Sequence, residues 1–205
     1  MPPFTGPLTE EEVPVFLEAV LKYSPEHYEL FLAAIHTGMR FGELAGLEWD
    51  DIELKGRYLM VKRQLVWGRI QTTKGGKSRR VDLSTPLAEA LKALKRKRHE
   101  EYLAKGENEI SKTVFLNRAG RPLDKDNVRV RHLHKCLKKA GLRKIRFHDL
   151  RHTFASLLIQ NGENLAYVKE QLGHSSIKLT VDVYGHLVPG ANRAALDRLP
   201  LVSPL

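Results

Sequence analysis

Only one cysteine, Cys136, stands among the 205 residues, which excludes an internal disulfide framework and a cysteine-rich zinc module. No apolar run approaches the ~18 residues that a membrane span needs. The first residues, Met1-Pro2-Pro3-Phe4-Thr5, have neither the basic region nor the apolar stretch of a secretory signal. Acidic residues are scarce over one long segment: eight between Leu54 and Arg146, against 27 Lys and Arg. What is present is ordinary for a globular chain. At 42% hydrophobic and 28% charged, it can bury a core and is too apolar for wholesale disorder. The expectation is a soluble, intracellular, basic protein.

The charge is unevenly spread. Residues 1–53 hold eleven acids and two bases, Lys22 and Arg40, whereas residues 147–205 balance at five against five. The middle segment therefore holds a net +19 and accounts for the whole formal +10. Clustered Lys and Arg displace counterions from a phosphate backbone, so this segment is read as a polyanion-binding surface. A single run such as Lys95-Arg96-Lys97-Arg98 reads equally well as a solvated helix face.

Periodicity predicts a mainly α-helical α+β domain with a small three-stranded antiparallel sheet. Thr9 and Glu12 have capping-box spacing, and Val13, Phe16, Val20 and Leu21 follow on one helical face. A second helix over 25–37 ends at Gly38, and a short one follows over 42–47. From Arg57 the pattern alternates, which predicts strands over 57–63, 69–73 and 78–83 in a meander, with turns at Trp67-Gly68 and Gly75-Gly76. Pro86 opens a helix faced by Leu87, Leu91 and Leu94. Asp124 caps another, with Val130, Leu133 and Leu137 buried and Cys136 packed beside them. Further helices are expected over 149–161, 165–172, 176–183 and 191–199. No repeat and no clear interdomain linker is visible.

Four segments hold the residue types of phosphodiester chemistry. They are Thr37-Gly38-Met39-Arg40-Phe41-Gly42-Glu43-Leu44, Thr73-Lys74-Gly75-Gly76-Lys77-Ser78-Arg79-Arg80, His148-Asp149-Leu150-Arg151-His152-Thr153-Phe154-Ala155, and Leu172-Gly173-His174-Ser175-Ser176 with Tyr184 ten residues after His174. In this order they strongly resemble the catalytic domain of the tyrosine recombinases, the phage-integrase family, from about Leu8 to about Leu199. Breaking a phosphodiester needs a nucleophile, positive charge on the non-bridging oxygens and a proton for the leaving oxygen. Tyr184 offers the hydroxyl, and Arg40 and Arg151 offer planar forks of N–H donors. Glu43, one turn after Arg40, either orients that arginine or is a surface carboxylate.

The resemblance implies further roles. It assigns Lys74 as the acid for the leaving 5′-oxygen, with Lys77 close enough in sequence to compete. It assigns His148 and His174 to phosphate binding or to shuttling the tyrosine proton. It implies cutting and rejoining through a 3′-phosphotyrosine, with no cofactor, metal or ATP. His148 and His152 have i, i+4 zinc spacing, but Arg151 between them would repel a cation, so no metal is expected and His152 is read as structural. Lys77, Arg79, Arg129, Arg131, His132 and His134 are candidates for DNA contact. The implied partners are double-stranded DNA, further copies forming a homotetramer on paired sites from a DNA-free monomer, and accessory DNA-bending or excision proteins. No membrane is implied, and the implied location is cytoplasmic, at the nucleoid.

The family's usual amino-terminal core-binding domain is not represented, so the chain reads either as an excised fragment or as a naturally short recombinase, like those of fimbrial switching. Residues 1–7 read as a tail. Residues 185–205 read as a tail that docks on a neighbouring protomer or folds back on its own domain. Two other readings stand beside the leading one. They are a type IB topoisomerase-like relaxation activity and a non-catalytic DNA-binding module that kept the fold.

Overall fold

The computed structural model describes residues 6–72, 76, 78–106 and 110–188. Helix α1 (Glu12–Tyr23) is entered through the expected reciprocal cap: Thr9 N donates to Glu12 Oε2 at 2.9 Å and Glu12 N donates to Thr9 Oγ1 at 3.3 Å. Val13, Phe16, Ala19 and Val20 are buried, while Leu21 turns out to solvent, one position past the apolar stripe. Helix α2 (Tyr28–Thr37) is buried continuously from Leu30 to Ile35 and packs against α1, α4 (Thr85–Leu103) and α7 (Asp149–Gln160). A helix apolar all round belongs at the centre, and this one is the hub of the core.

The short helix α3 (Phe41–Ala45) leads through a 3₁₀ turn at Trp49–Asp51 into the sheets. Strands β1 (Ile52–Glu53), β2 (Tyr58–Val61) and β5 (Arg79–Asp82) form a three-stranded antiparallel sheet in the order β1-β2-β5. Strands β3 (Arg63–Val66) and β4 (Arg69–Thr72) form a separate two-stranded ribbon around the Trp67-Gly68 turn. The expected meander is thus corrected, since 69–72 does not lie between its two predicted neighbours. Burial explains the choice. Leu59 and Val61 are buried on β2, and β5 brings buried Val81 opposite Leu59. Strand β4 is exposed throughout and has no apolar face to offer.

Helix α4 starts on Ser84, whose Oγ accepts from Leu87 N, and buries Leu87, Ala88, Leu91 and Leu94. The basic helix that follows has three parts: α5 (Lys125–Asn127), a π-helical stretch Val128–Leu133, and α6 (His134–Lys139). Here a second expectation fails, because Val130 is 55% exposed. A π-helix closes its hydrogen bonds at i→i+5, which moves the buried pair to Val128 and Leu133 and rotates Val130 outward. Cys136 is fully buried.

Helices α7, α8 (Leu165–Leu172) and α9 (Ile177–Tyr184) close a second, smaller apolar cluster of Phe154, Ala155, Ile159, Val168, Leu172 and Tyr184. The fold is therefore mainly helical with small antiparallel sheets. The predicted helix over 191–199 lies outside the described residues.

Candidate active site

The end of α2 sets the first wall of the site. Gly38 caps α2 at φ +60°, and an added Cβ would lie 2.4 Å from Phe154 Cδ1. Only glycine combines that conformation with that clearance. The turn aims the Gly38 carbonyl at Arg151 of α7, whose Nη1 donates to it at 2.7 Å, while Nη2 donates to Leu172 O at 2.6 Å. Burial first, and then the charge of Arg40, pushes the Arg151 guanidinium down to about 9. It remains a cation at neutral pH.

Arg40 opens α3 and is half exposed, with Nη1 3.0 Å from Glu43 Oε1. Glu43 is 3% exposed, so it is not the surface carboxylate that was the alternative. It also accepts two bonds of 2.8 Å from Arg79 of β5, one to each oxygen, and the Arg40 backbone N–H at 2.8 Å. Burial alone would raise its pKa, but the Arg79 hydrogen bonds and charge, reinforced by Arg40, hold it down to about 2. Arg79 was expected at DNA. Instead Nε donates to Gln171 O at 3.1 Å, and its guanidinium is mostly covered by Glu43 and by Gly173 at the end of α8. It acts as a strut beneath Arg40, because a carboxylate left with one arginine in that interior would be underpaired.

The histidines and the tyrosine close the other side. His148, just before α7, is pushed down to about 4 by burial, then by His152, Arg151 and Arg40. His174, just after α8, falls to about 4 by burial, then by Arg151, Arg40 and Arg79, and shares a 2.9 Å hydrogen bond between Nδ1 and Thr180 Oγ1. Tyr184 ends α9 with 3% exposure, and burial raises its hydroxyl to about 12, partly countered by Arg151. Arg40, Glu43, His148, Arg151, His174 and Tyr184 are therefore brought to one place.

One residue of this cluster was passed over. His152 Nδ1 is 2.7 Å from Tyr184 Oη, so the residue read as structural is the one in contact with the candidate nucleophile. A signal was available: His152 sits one turn past His148 and beside Arg151 on the same helix. Its ring also lies edge-on to His148, with centroids 5.0 Å apart.

The remaining candidates lie elsewhere. Lys74 and Lys77 fall between β4 and β5, outside the described residues. Arg131 is exposed, and Arg129 pairs with Asp126 at 2.8 Å. His132 and His134, expected to face DNA or solvent, turn into the protein: His132 stacks on His27, and His134 Nε2 lies 3.2 Å from Ile145 O. The π-helical phase that turns Val130 outward turns His132 inward.

Comparison with known proteins identifies the family. Residues 7–189 match the profile described as the phage integrase family. A "Tyrosine recombinase XerC-like" protein of Caldanaerobacter subterraneus subsp. tengcongensis is 32% identical over 93% of this chain and 54% of its own length. Among solved structures, the Tn1549 transposon integrase in complex with a circular intermediate DNA has a TM-score of 0.76 at 23% identity, over 96% of this chain and 66% of that one. The XerH site-specific recombinase bound to a palindromic difH substrate, a post-cleavage complex, has a TM-score of 0.67 at 28% identity, over 88% of this chain and 50% of that one. The chain spans about half the length of the curated relatives it matches. From the profile match, the identity and the converging arginines and tyrosine, the chain belongs to the phage integrase family and has the catalytic-domain fold of the tyrosine recombinases.

Proposed function

We propose that this chain is the catalytic domain of a site-specific DNA recombinase or integrase, which cuts and rejoins strands through a covalent 3′-phosphotyrosine without metal or ATP. The observation that carries the reading is the Tyr184 hydroxyl, bonded to His152 beside the buried cation Arg151. Tyr184 Oη forms a bond to phosphorus and the bond from phosphorus to the 5′-oxygen breaks. A hydroxyl raised to about 12 does not ionise unaided near neutral pH. It needs an acceptor for its proton, and His152, whose pKa burial lowers, presents a neutral ring at the required distance. Arg40 and Arg151 neutralise the charge growing on the non-bridging oxygens. The 5′-oxygen takes its proton from Lys74, and His148 and His174 hold the phosphate. Reversal of the same steps by another 5′-hydroxyl rejoins the strands, since the phosphotyrosine keeps the energy of the original ester.

The partners follow from that chemistry. Double-stranded DNA lies across the basic middle segment, and Lys77, Arg129 and Arg131 meet its backbone. Four copies assemble on two duplexes, the 185–205 tail contributes to that assembly, and accessory DNA-bending or excision proteins set direction. The chain works at the nucleoid in the cytoplasm. Among the described residues no helix is long and apolar enough to cross a membrane.

The test is a nicked suicide substrate carrying the cognate site. A covalent adduct is expected with the native chain and none with Tyr184→Phe, which should still bind DNA. Equal trapping by Tyr184→Phe removes the nucleophile assignment. Relaxation of supercoils without joined products would favour the topoisomerase reading, and binding without any cleavage would favour the non-catalytic one.

A further inference from the structure

Away from the arginine pocket, a second cluster of titratable side chains joins the turn before α2 to the π-helical stretch. His27 and His132 stack with ring centroids 3.8 Å apart and planes 29° off parallel. Glu26 Oε1 lies 3.7 Å from His27 Nδ1 and 4.0 Å from His132 Nδ1. One donor atom from each of the three residues lies within 4.8 Å of the other two. His27 is only 6% exposed, and its Nδ1 has no hydrogen-bond partner; the buried Glu26 Oε2 also has none. Leaving a buried polar atom unpaired is costly, and two such atoms in one cluster mark a place where a ligand belongs.

We propose that Glu26, His27 and His132 bind a divalent transition-metal ion, zinc under cellular conditions, with water completing the coordination. Three donors within 4.8 Å of one another share a point no more than about 2.8 Å from each. Zinc bonds to imidazole nitrogen and carboxylate oxygen are about 2.0–2.2 Å. Those to imidazole lie near the ring plane, so one of the two stacked rings must turn out of the stack for both nitrogens to meet the ion. Two imidazoles and one carboxylate suit zinc and its neighbours, and do not suit calcium or magnesium, which take oxygen ligands.

The surroundings fit a metal in one further respect. Burial pushes His27 down to about 4 and lowers His132, so both rings are neutral at pH 7 and no proton has to be displaced. Two contacts compete with the ion: Ser24 Oγ lies 3.1 Å from His132 Nδ1, the nitrogen nearest Glu26, and Arg118 Nη2 is 3.2 Å from Glu26 Oε1. Arg118 is 81% exposed, and a surface pair of that kind is worth little, so the carboxylate is available. The ion would tie residues 24–27 to residues 128–133 across more than a hundred residues of chain. This is a structural role, independent of whether the arginine pocket cleaves DNA.

The test uses the tag-free chain, stripped with chelator and dialysed against zinc alone. One equivalent is expected to bind and to raise the unfolding temperature. His27→Gln and His132→Gln should each abolish both effects, whereas His148→Gln, in the other histidine cluster, should leave zinc uptake unchanged. Absence of stoichiometric uptake overturns the proposal, as does uptake that survives both cluster variants or is lost in His148→Gln. Should the cluster variants fail to fold, cobalt added to the native chain decides. Intense visible absorption of a four-coordinate ion is expected, and the weak spectrum of the aqueous ion overturns it. A water molecule bridging the orphan atoms would leave both readings negative.

Discussion

Replacing Glu43 by glutamine should destabilise the fold at neutral pH by an amount the site itself sets. The folded carboxyl is held at about 2 against an ordinary 4.5 by four contacts, two from the Arg79 guanidinium and two from Arg40. At about 1.36 kcal/mol per pK unit, that difference is worth about 3 kcal/mol of stability when the group is ionised in both states. The sign follows from a depressed pKa: the contribution is complete above 4.5 and is lost as pH falls towards 2. At pH 3.5 about 1 kcal/mol is already gone, because the unfolded carboxyl is mostly protonated there while the folded one is not. Glutamine is neutral and of the same shape, and so stands in for the protonated acid. Urea unfolding of the native chain and Glu43→Gln should differ by about 3 kcal/mol at pH 7 and by about 2 kcal/mol at pH 3.5. Equal stability at pH 7, or a gap that does not narrow on acidification, would refute the view that the two arginines hold this carboxylate.

Three other outcomes follow from the geometry. His152→Gln should slow formation of the phosphotyrosine adduct by about 10²- to 10⁴-fold. Cleavage by the native chain should stay level from pH 8 to below 6.5 and fall only under that, because burial lowers the His152 pKa; a decline centred at 6.5 or higher would assign the proton to another group. Gly38→Ala should cost about 2–4 kcal/mol in a thermal melt, since it adds a Cβ at positive φ against Phe154, and an unchanged melting temperature would contradict the packing described. DNA affinity should fall with salt at a log–log slope of about −0.9 per phosphate contacted, and a flat dependence would argue against the basic middle segment as the contact surface.

Motif spacing made most of the candidate site legible, because Arg40, Glu43, Arg151 and Tyr184 have residue types whose chemistry is recognisable without coordinates. Helix boundaries were legible for the same local reason: Thr9, Gly38 and Pro86 act on neighbours in sequence. What stayed hidden depended on distant partners. Strand β5 pairs with β2 because Val81 meets buried Leu59, a fact no window around either strand contains. Arg79 looked like a DNA-facing base until Glu43, 36 residues earlier, was found beneath it. His132 and Val130 exchanged their expected faces because the helix locally adopts a wider turn, and no residue in Val128–Leu133 announces a change from i→i+4 to i→i+5 bonding.

The two carbonyls that hold Arg151 belong to helix ends. Gly38 closes α2 and Leu172 is the last residue of α8. Both ends carry the partial negative charge of a macrodipole, so one guanidinium neutralises two C-termini at once. Fraying of either final turn would withdraw an acceptor and leave the cation short of partners in the interior. The residue proposed to grip phosphate is thus also a keystone for α2 and α8, and opening of either helix end should be coupled to loss of the anion pocket as one cooperative unit.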